Sequence, residues 1–192
     1  MNKKKIPIII SFMGVDGSGK TTLSKKLKKL LKKSKYLHLK PYILFQDRRT
    51  VVKNPQETKK SLSFVSLIKI FSWLISYKVF FWRKKDFEFY IFDRYAHDIL
   101  IDPLRYKHNL SKNLTIYILS FFPNPDLWIL LKPPLNIIKK RKNELTDYEL
   151  KRQIREYSNF FKSKKNVLVL NTNKKSKASL TKIKSKINFF IK

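Results

Sequence analysis

Ile6-Pro7-Ile8-Ile9-Ile10-Ser11-Phe12-Met13, running straight into Gly14-Val15-Asp16-Gly17-Ser18-Gly19-Lys20-Thr21-Thr22, is the stretch that decides the fold. Its first half is an apolar run of strand length, the pattern of a parallel strand covered on both faces. Its second half meets the pattern GxxxxGK[ST] through Gly14, Gly19, Lys20 and Thr21. Behind it, Leu23, Leu27, Leu30 and Leu31 recur at helical spacing among lysines, which predicts a helix over Lys20–Lys33.

A glycine loop between a strand and a helix can turn its N–H groups inward around phosphate oxygens, and the helix N-terminus adds its dipole. The residues Gly14, Val15, Asp16, Gly17, Ser18, Gly19, Lys20, Thr21 and Thr22 are therefore expected to bind ATP. Lys20 would reach the β- and γ-phosphates, and Thr21 would place its hydroxyl on Mg²⁺. A plain glycine turn is the competing account, and the full motif in its strand-to-helix context favours the nucleotide. Asp16 would be repelled by bound phosphates unless it faces away from them, so it is expected to face the acceptor or a cation. A loop aspartate that bonds local backbone is the alternative.

Working outward, strands and helices alternate. Tyr36–Phe45, broken by Pro41, reads as a second strand, Gln46–Lys60 as a loop and Leu62–Trp82 as an apolar helix. Phe87–Phe92, Leu127–Leu131 and Val167–Leu170 read as further strands. Leu135–Lys142 and Tyr148–Phe161 read as helices around a polar hinge at Asn143–Asp147, and Leu180–Ile191 as a closing helix. The order predicts an α/β fold of three layers, α/β/α, around a five-stranded parallel sheet. At 192 residues the chain is expected to form a single domain, residues 1–192, with a lid around 141–155.

The third strand ends in Asp93-Arg94, at the edge where open α/β sheets bind their ligands. Asp93 can order the Mg²⁺ shell or the attacking oxygen, and Arg94 can grip an acceptor phosphate bidentately. A surface salt bridge capping the next helix is the competing reading. His97, Asp98, Asp102, Arg105 and Tyr106 follow at three- or four-residue spacings and are expected on one helical face. Among them Asp98 and Arg105 are the candidates for acceptor contact, and His97 reads as a packing residue. Arg141 and Lys142, with Arg152 and Arg155, flank the polar hinge. A lid carrying arginines could clamp the charge of a transferred phosphoryl group, with Arg141 the first candidate, and a solvated basic face is the alternative.

Composition limits the partners. Forty-four Lys plus Arg against 13 Asp plus Glu give a net charge of +31, which by itself suits polyanions. The lysines are spread along the chain without a zinc-finger, RRM-type or basic-zipper pattern, so no specific nucleic acid is expected. There is no cysteine, which excludes disulfide scaffolds and thiolate metal sites. The basic, then apolar start does not read as a signal peptide, because the apolar stretch continues into the glycine loop. Ser63–Trp82 is long enough to be tested as a span, but serines and Lys69 interrupt it at helical spacing. A buried or interface helix is expected, peripheral membrane contact being the minor alternative, in a cytoplasmic protein without a transmembrane segment.

These residues resemble the thymidylate kinase family over nearly the whole chain. The anchors are Gly14 to Thr22, Asp93-Arg94-Tyr95, Pro125-Asp126-Leu127 leading to Leu131, and Arg141. The resemblance implies a phosphotransferase moving the ATP γ-phosphate to a dTMP-like monophosphate. In it Asp16 faces the acceptor sugar, Arg94 its phosphate, Asp93 the metal or reaction centre, and Arg141 sits in the lid. It also implies a homodimer through the Leu62–Trp82 helix. The chain departs from the family where a serine and Ala-Tyr-Gln help hold thymidine, carrying Asp98 and Ile101-Asp102-Pro103 instead. In this it looks like thymidylate-kinase-like proteins of bacterial surface-polysaccharide gene clusters. A same-fold kinase acting on a sugar or glycan intermediate, or an ATP-binding protein without turnover, are the other readings.

Overall fold

Strand β1, Ile8–Met13, extends because three consecutive isoleucines favour the pleated backbone and leave no polar face to solvate. It is the middle strand of a five-stranded sheet of order β2-β3-β1-β4-β5, every pair of which is parallel. The other strands are β2, Ser34–His38; β3, Phe89–Asp93; β4, Leu127–Leu131; and β5, Val167–Leu170. The helices are α1, Lys20–Leu30; α2, Ser63–Arg83; α3, Lys112–Leu119; α4, Leu135–Arg141; α5, Asp147–Lys162; and α6, Ser176–Ile191. This computed structural model describes residues 6–39, 62–83, 87–141, 145–172 and 176–191. The expected loop at Gln46–Lys60, together with Pro41, Lys142 and the hinge residues Asn143 and Glu144, lies outside the described residues.

The described residues form two compact units. The first draws on Met1–His38, Asp86–Arg94 and Pro125–Lys192, and so contains the whole sheet. Alternation along the strands sends Ile10, Phe12, Phe89, Ile91, Leu127, Ile129 and Leu131 to one side. There they bury against Leu23 and Leu27 of α1 and Ile183 and Ile187 of α6. On the other side Trp128 meets Phe160 and Phe161 of α5 edge-on, with centroids 5.9 and 5.6 Å away. The three-layer α/β/α fold with a five-stranded parallel sheet is thus observed.

Element ends moved for identifiable reasons. Helix α1 stops at Leu30 rather than Lys33, because Leu31 is already extended and Lys33 has φ 50°. Ser34 Oγ takes over the last carbonyls, donating to Leu31 O at 2.6 Å and Lys28 O at 3.0 Å. Strand β2 therefore starts at Ser34, and it ends at His38, before Leu39 at φ 58°. Strand β3 begins at Phe89 and runs through Asp93, since Asp93 is in register with Phe12 on one side and His38 on the other.

The second unit draws on Leu39–Lys85 and Tyr95–Asn124. Its α2 buries Ile70, Trp73, Tyr77 and Phe80, and leaves Phe64, Ile68, Phe71 and Ile75 exposed. Among the described residues α2 is the one helix long and apolar enough to cross a membrane. The single helical face expected for His97, Asp98, Asp102, Arg105 and Tyr106 is not formed. Two 3-10 turns, Ala96–Leu100 and Leu104–Tyr106, replace it. Pro103 has no N–H to continue a helix and disfavours helical backbone at Asp102, so the face breaks there.

Candidate functional site

The P-loop needs its glycines. Gly14, Gly17 and Gly19 have φ of 143°, 78° and 93°, and a Cβ on Gly14 would lie 2.6 Å from the Leu131 carbonyl oxygen. Ser18 N closes the turn on Val15 O at 3.2 Å. The first turn of α1 carries no acid, so its N–H groups and dipole keep their pull on an anion. Lys20 is buried, its Nζ donating to Gly14 O and Val15 O at 2.7 Å each and lying 3.7 Å from Asp16 Oδ1.

Strand β3 delivers Asp93 beside this loop. Its Oδ2 accepts the Thr21 hydroxyl at 2.6 Å and the Tyr36 hydroxyl at 3.0 Å, with His38 Nδ1 at 3.6 Å. Its Oδ1 is buried and makes no hydrogen bond among the described residues. Burial pushes the Asp93 carboxyl up, but His38, the charge of Lys20 and the Thr21 hydroxyl outweigh it and hold it down at about 2. Asp93 is therefore an anion throughout the physiological range.

Arg94 leaves the strand with φ 69°, a backbone region that non-glycine residues seldom occupy, while its N donates to Phe12 O at 2.9 Å. This turn carries its guanidinium to Asp16, with which it forms a buried ion pair, and to within 3.5 Å of Tyr157 Oη on α5. Asp16 thus pairs with a cation of the neighbouring strand's exit.

Arg141, the last residue of α4, donates to Thr172 O at 2.9 Å and Gly17 O at 3.4 Å. Thr172, just past β5, donates its hydroxyl to Ser18 O at 2.7 Å and so ties the β5 exit to the P-loop. Beside them lies a cavity of about 280 Å³ lined by Gly19, Thr22, Leu23, Arg141, Thr172, Ser176 and Ser179. Arg152 is engaged by Glu149 at 2.6 Å within α5, and Arg155 is exposed.

Asp98 and Arg105 belong to the second unit. Asp98 is fully buried and accepts the Tyr106 hydroxyl at 2.6 Å, and Arg105 Nε donates to Asp102 Oδ2 at 2.8 Å. His97 stacks on Tyr95, in keeping with a packing role. Tyr36, Tyr157 and Thr172 had no part in the reading from sequence. Their one available signal was position, since each closes or faces the carboxyl edge of the sheet.

A glycine nest at the end of the central strand of a 2-3-1-4-5 parallel sheet, with an ionised aspartate on the neighbouring strand, defines the class as a P-loop nucleotide kinase fold. No protein-family model matches the chain. A probable thymidylate kinase from Sulfurisphaera tokodaii is 31% identical over 151 residues, covering 76% of this chain and 75% of that protein. Thymidylate kinase from Candida albicans superposes with a TM-score of 0.66 at 19% identity, covering 95% of this chain and 92% of that one. Deoxyadenosine kinase from M. mycoides does so at 0.67 and 16%, covering 95% and 100%, and both show the shared fold. The chain belongs to the thymidylate kinase family. It is an ATP-dependent kinase that acts on a small-molecule acceptor.

Proposed function

We propose that the chain transfers the γ-phosphoryl group of ATP to a nucleoside monophosphate, with dTMP or a close analogue as acceptor, and that Thr21 and Asp93 hold Mg²⁺. The observation that carries this reading is Asp93, a buried carboxylate with one oxygen tied to Thr21 and Tyr36 and the other without a hydrogen bond among the described residues. Hard oxygen donors of this kind suit Mg²⁺, which is commonly bound through one or two carboxylates and the substrate phosphates. Among the described residues no group of three or more His, Cys, Asp or Glu is placed to hold a metal ion by itself, so the remaining ligands would have to come from the nucleotide and solvent. When bound, the ion would neutralise charge on the transferred group.

The chain's own residues do the rest by positioning. The Gly14–Thr22 backbone and Lys20 bind the phosphates, and the cavity between Arg141, Thr172 and Ser179 receives the nucleoside end of ATP. Arg94, held by Asp16, takes the acceptor phosphate, and Asp98 and Arg105 address the remainder of the acceptor. In this reading the chain acts as one kinase domain, with residues 141–155 as its lid, and works in the cytoplasm. The exposed Phe64, Ile68, Phe71 and Ile75 support a homodimer through α2.

The test is ADP release from Mg-ATP with dTMP, other nucleoside monophosphates and activated sugars offered in parallel. Turnover with dTMP-like acceptors is expected. Turnover only with sugars would favour the second reading, which rests on Asp98 and Asp102 standing where the family resemblance leads one to expect serine and neutral residues. ATP binding without any turnover would leave a binding protein.

A further inference from the structure

The two helices that lie side by side on one face of the first unit come from stretches of sequence without a single acid. No Asp or Glu occurs between Asp16 and Asp47, nor after Glu156. Helix α1 belongs to the first stretch and α6 to the second. They share one core cluster through Leu23, Leu27, Ile183 and Ile187, and Lys26 Nζ reaches Ser176 Oγ at 2.7 Å.

Both helices return from the carboxyl edge of parallel strands to the amino edge, so their last turns emerge together on the side of the sheet away from the P-loop. Exposed Lys28, Lys29, Lys32 and Lys33 stand at or just past the end of α1, with Lys165 ahead of β5. Of the described acids at this edge, Glu88 lies 3.5 Å from Lys33, and Asp126 Oδ2 accepts Ile9 N at 2.7 Å. Among the lysines stand three apolar side chains in water, Ile6 at 88% exposure, Leu30 at 47% and Phe189 at 75%.

A lysine-rich composition adds cations over a whole surface, but it neither strips acids from one face nor sets isoleucine, leucine and phenylalanine among the cations. We infer that this amino edge docks on an anionic lipid bilayer. The lysines sit at headgroup level, and Leu30, Phe189 and Ile6 enter the interface. A nucleic acid would engage the lysines and gain nothing from Ile6 and Leu30. The P-loop, at the opposite edge, stays open to soluble substrates in the docked state.

Sedimentation of the full chain with vesicles tests this, using phosphatidylcholine alone and phosphatidylglycerol-rich mixtures. Binding only to the anionic vesicles is expected, and moderate salt should weaken it. The triple variant Lys28→Gln, Lys29→Gln, Lys32→Gln should lower partitioning about tenfold or more, since each lysine near an anionic surface contributes severalfold. Leu30→Ser with Phe189→Ser should lower it severalfold, while binding of an ATP analogue stays at the wild-type level in both. Three results would each overturn the inference: no binding to anionic vesicles, binding that survives the lysine triple, or indifference to Leu30 and Phe189 with equal binding to tRNA. So would loss seen only with Phe71→Ser and Ile75→Ser on α2, which would move the contact to that helix.

Discussion

Thr21 Oγ1 donates to Asp93 Oδ2 at 2.6 Å, joining the first turn of α1 to the end of β3. The bond spans two elements that meet only because β3 lies beside β1 in the sheet, so the fold itself assembles the pair. It leaves Asp93 Oδ1 as the open donor atom. Asp93→Asn keeps the size and can still accept from Thr21 and Tyr36, but loses the charge. Turnover is expected to fall about 10²- to 10³-fold with the fold intact, read from ADP release beside a circular dichroism spectrum.

The same carboxylate makes stability depend on acid. Its pKa is lowered in the folded chain from 3.8 to about 2, so folding favours the ionised form. That stability is fully present above the unfolded value near 4 and is lost as pH falls through about 2. A shift of nearly two pKa units corresponds to about 2 kcal/mol. Urea unfolding between pH 5 and 2 should show wild type losing about that much more than Asp93→Asn. Parallel curves for the two proteins would remove Asp93 from the acid transition.

Gly14→Ala is expected to destabilise the chain and block nucleotide binding together. The added Cβ would sit 2.6 Å from Leu131 O, and φ 143° is a region that L side chains avoid. Either the loop or the end of β4 must yield, at a cost of about 1–3 kcal/mol. Thermal unfolding should therefore drop by several degrees, and Lys20→Ala, which adds no backbone clash but removes the bonds to Gly14 O and Val15 O, should lose nucleotide binding with a smaller change in melting.

Much of this was legible before any coordinates, because the apolar run into Gly14–Thr22 sets strand, nest and helix in one continuous stretch. Asp93-Arg94 was legible too, since a buried strand ending in two charges has few structural reasons to exist. What sequence spacing could not show was pairing across strands: Tyr36 and His38 reach Asp93 only through the parallel β2-β3 register. Nor did a periodic pattern reveal the break at Pro103, because the spacing of Asp98, Asp102 and Arg105 suits a helix that Pro103 forbids. Thr172 sits in a loop after the last strand, and its role follows from the hydrogen bond to Ser18 O.

Arg94 and Asp16 should behave as a coupled pair. Both are largely buried, so removing one takes a close counter-charge from the other, although Asp16 keeps Lys20 at 3.7 Å, whereas removing both leaves neither charge behind. In a double-mutant cycle of Arg94→Ala and Asp16→Ala, the combined loss of stability should be smaller than the sum by about 1–3 kcal/mol. If Arg94 also takes the acceptor phosphate, Arg94→Ala should raise the acceptor KM well above its effect on the KM for ATP. Equal effects on both substrates would confine Arg94 to holding the loop.

Helix α2 presents two apolar faces, of which one is buried and the other exposed. Ile70, Trp73, Tyr77 and Phe80 are buried, while Phe64, Ile68, Phe71 and Ile75 form an exposed stripe at helical spacing. A stripe of this length in water favours association, and a second copy offers a self-complementary surface with no new chemistry. Light scattering of the purified chain is expected to report a dimer, and Phe71→Asp with Ile75→Asp a monomer, because each aspartate would have to enter the apolar contact without a partner. Since neither residue lies in the sheet unit that carries the P-loop, the monomeric variant should still bind an ATP analogue. A wild-type chain that scatters as a monomer at high concentration would leave the stripe without this role.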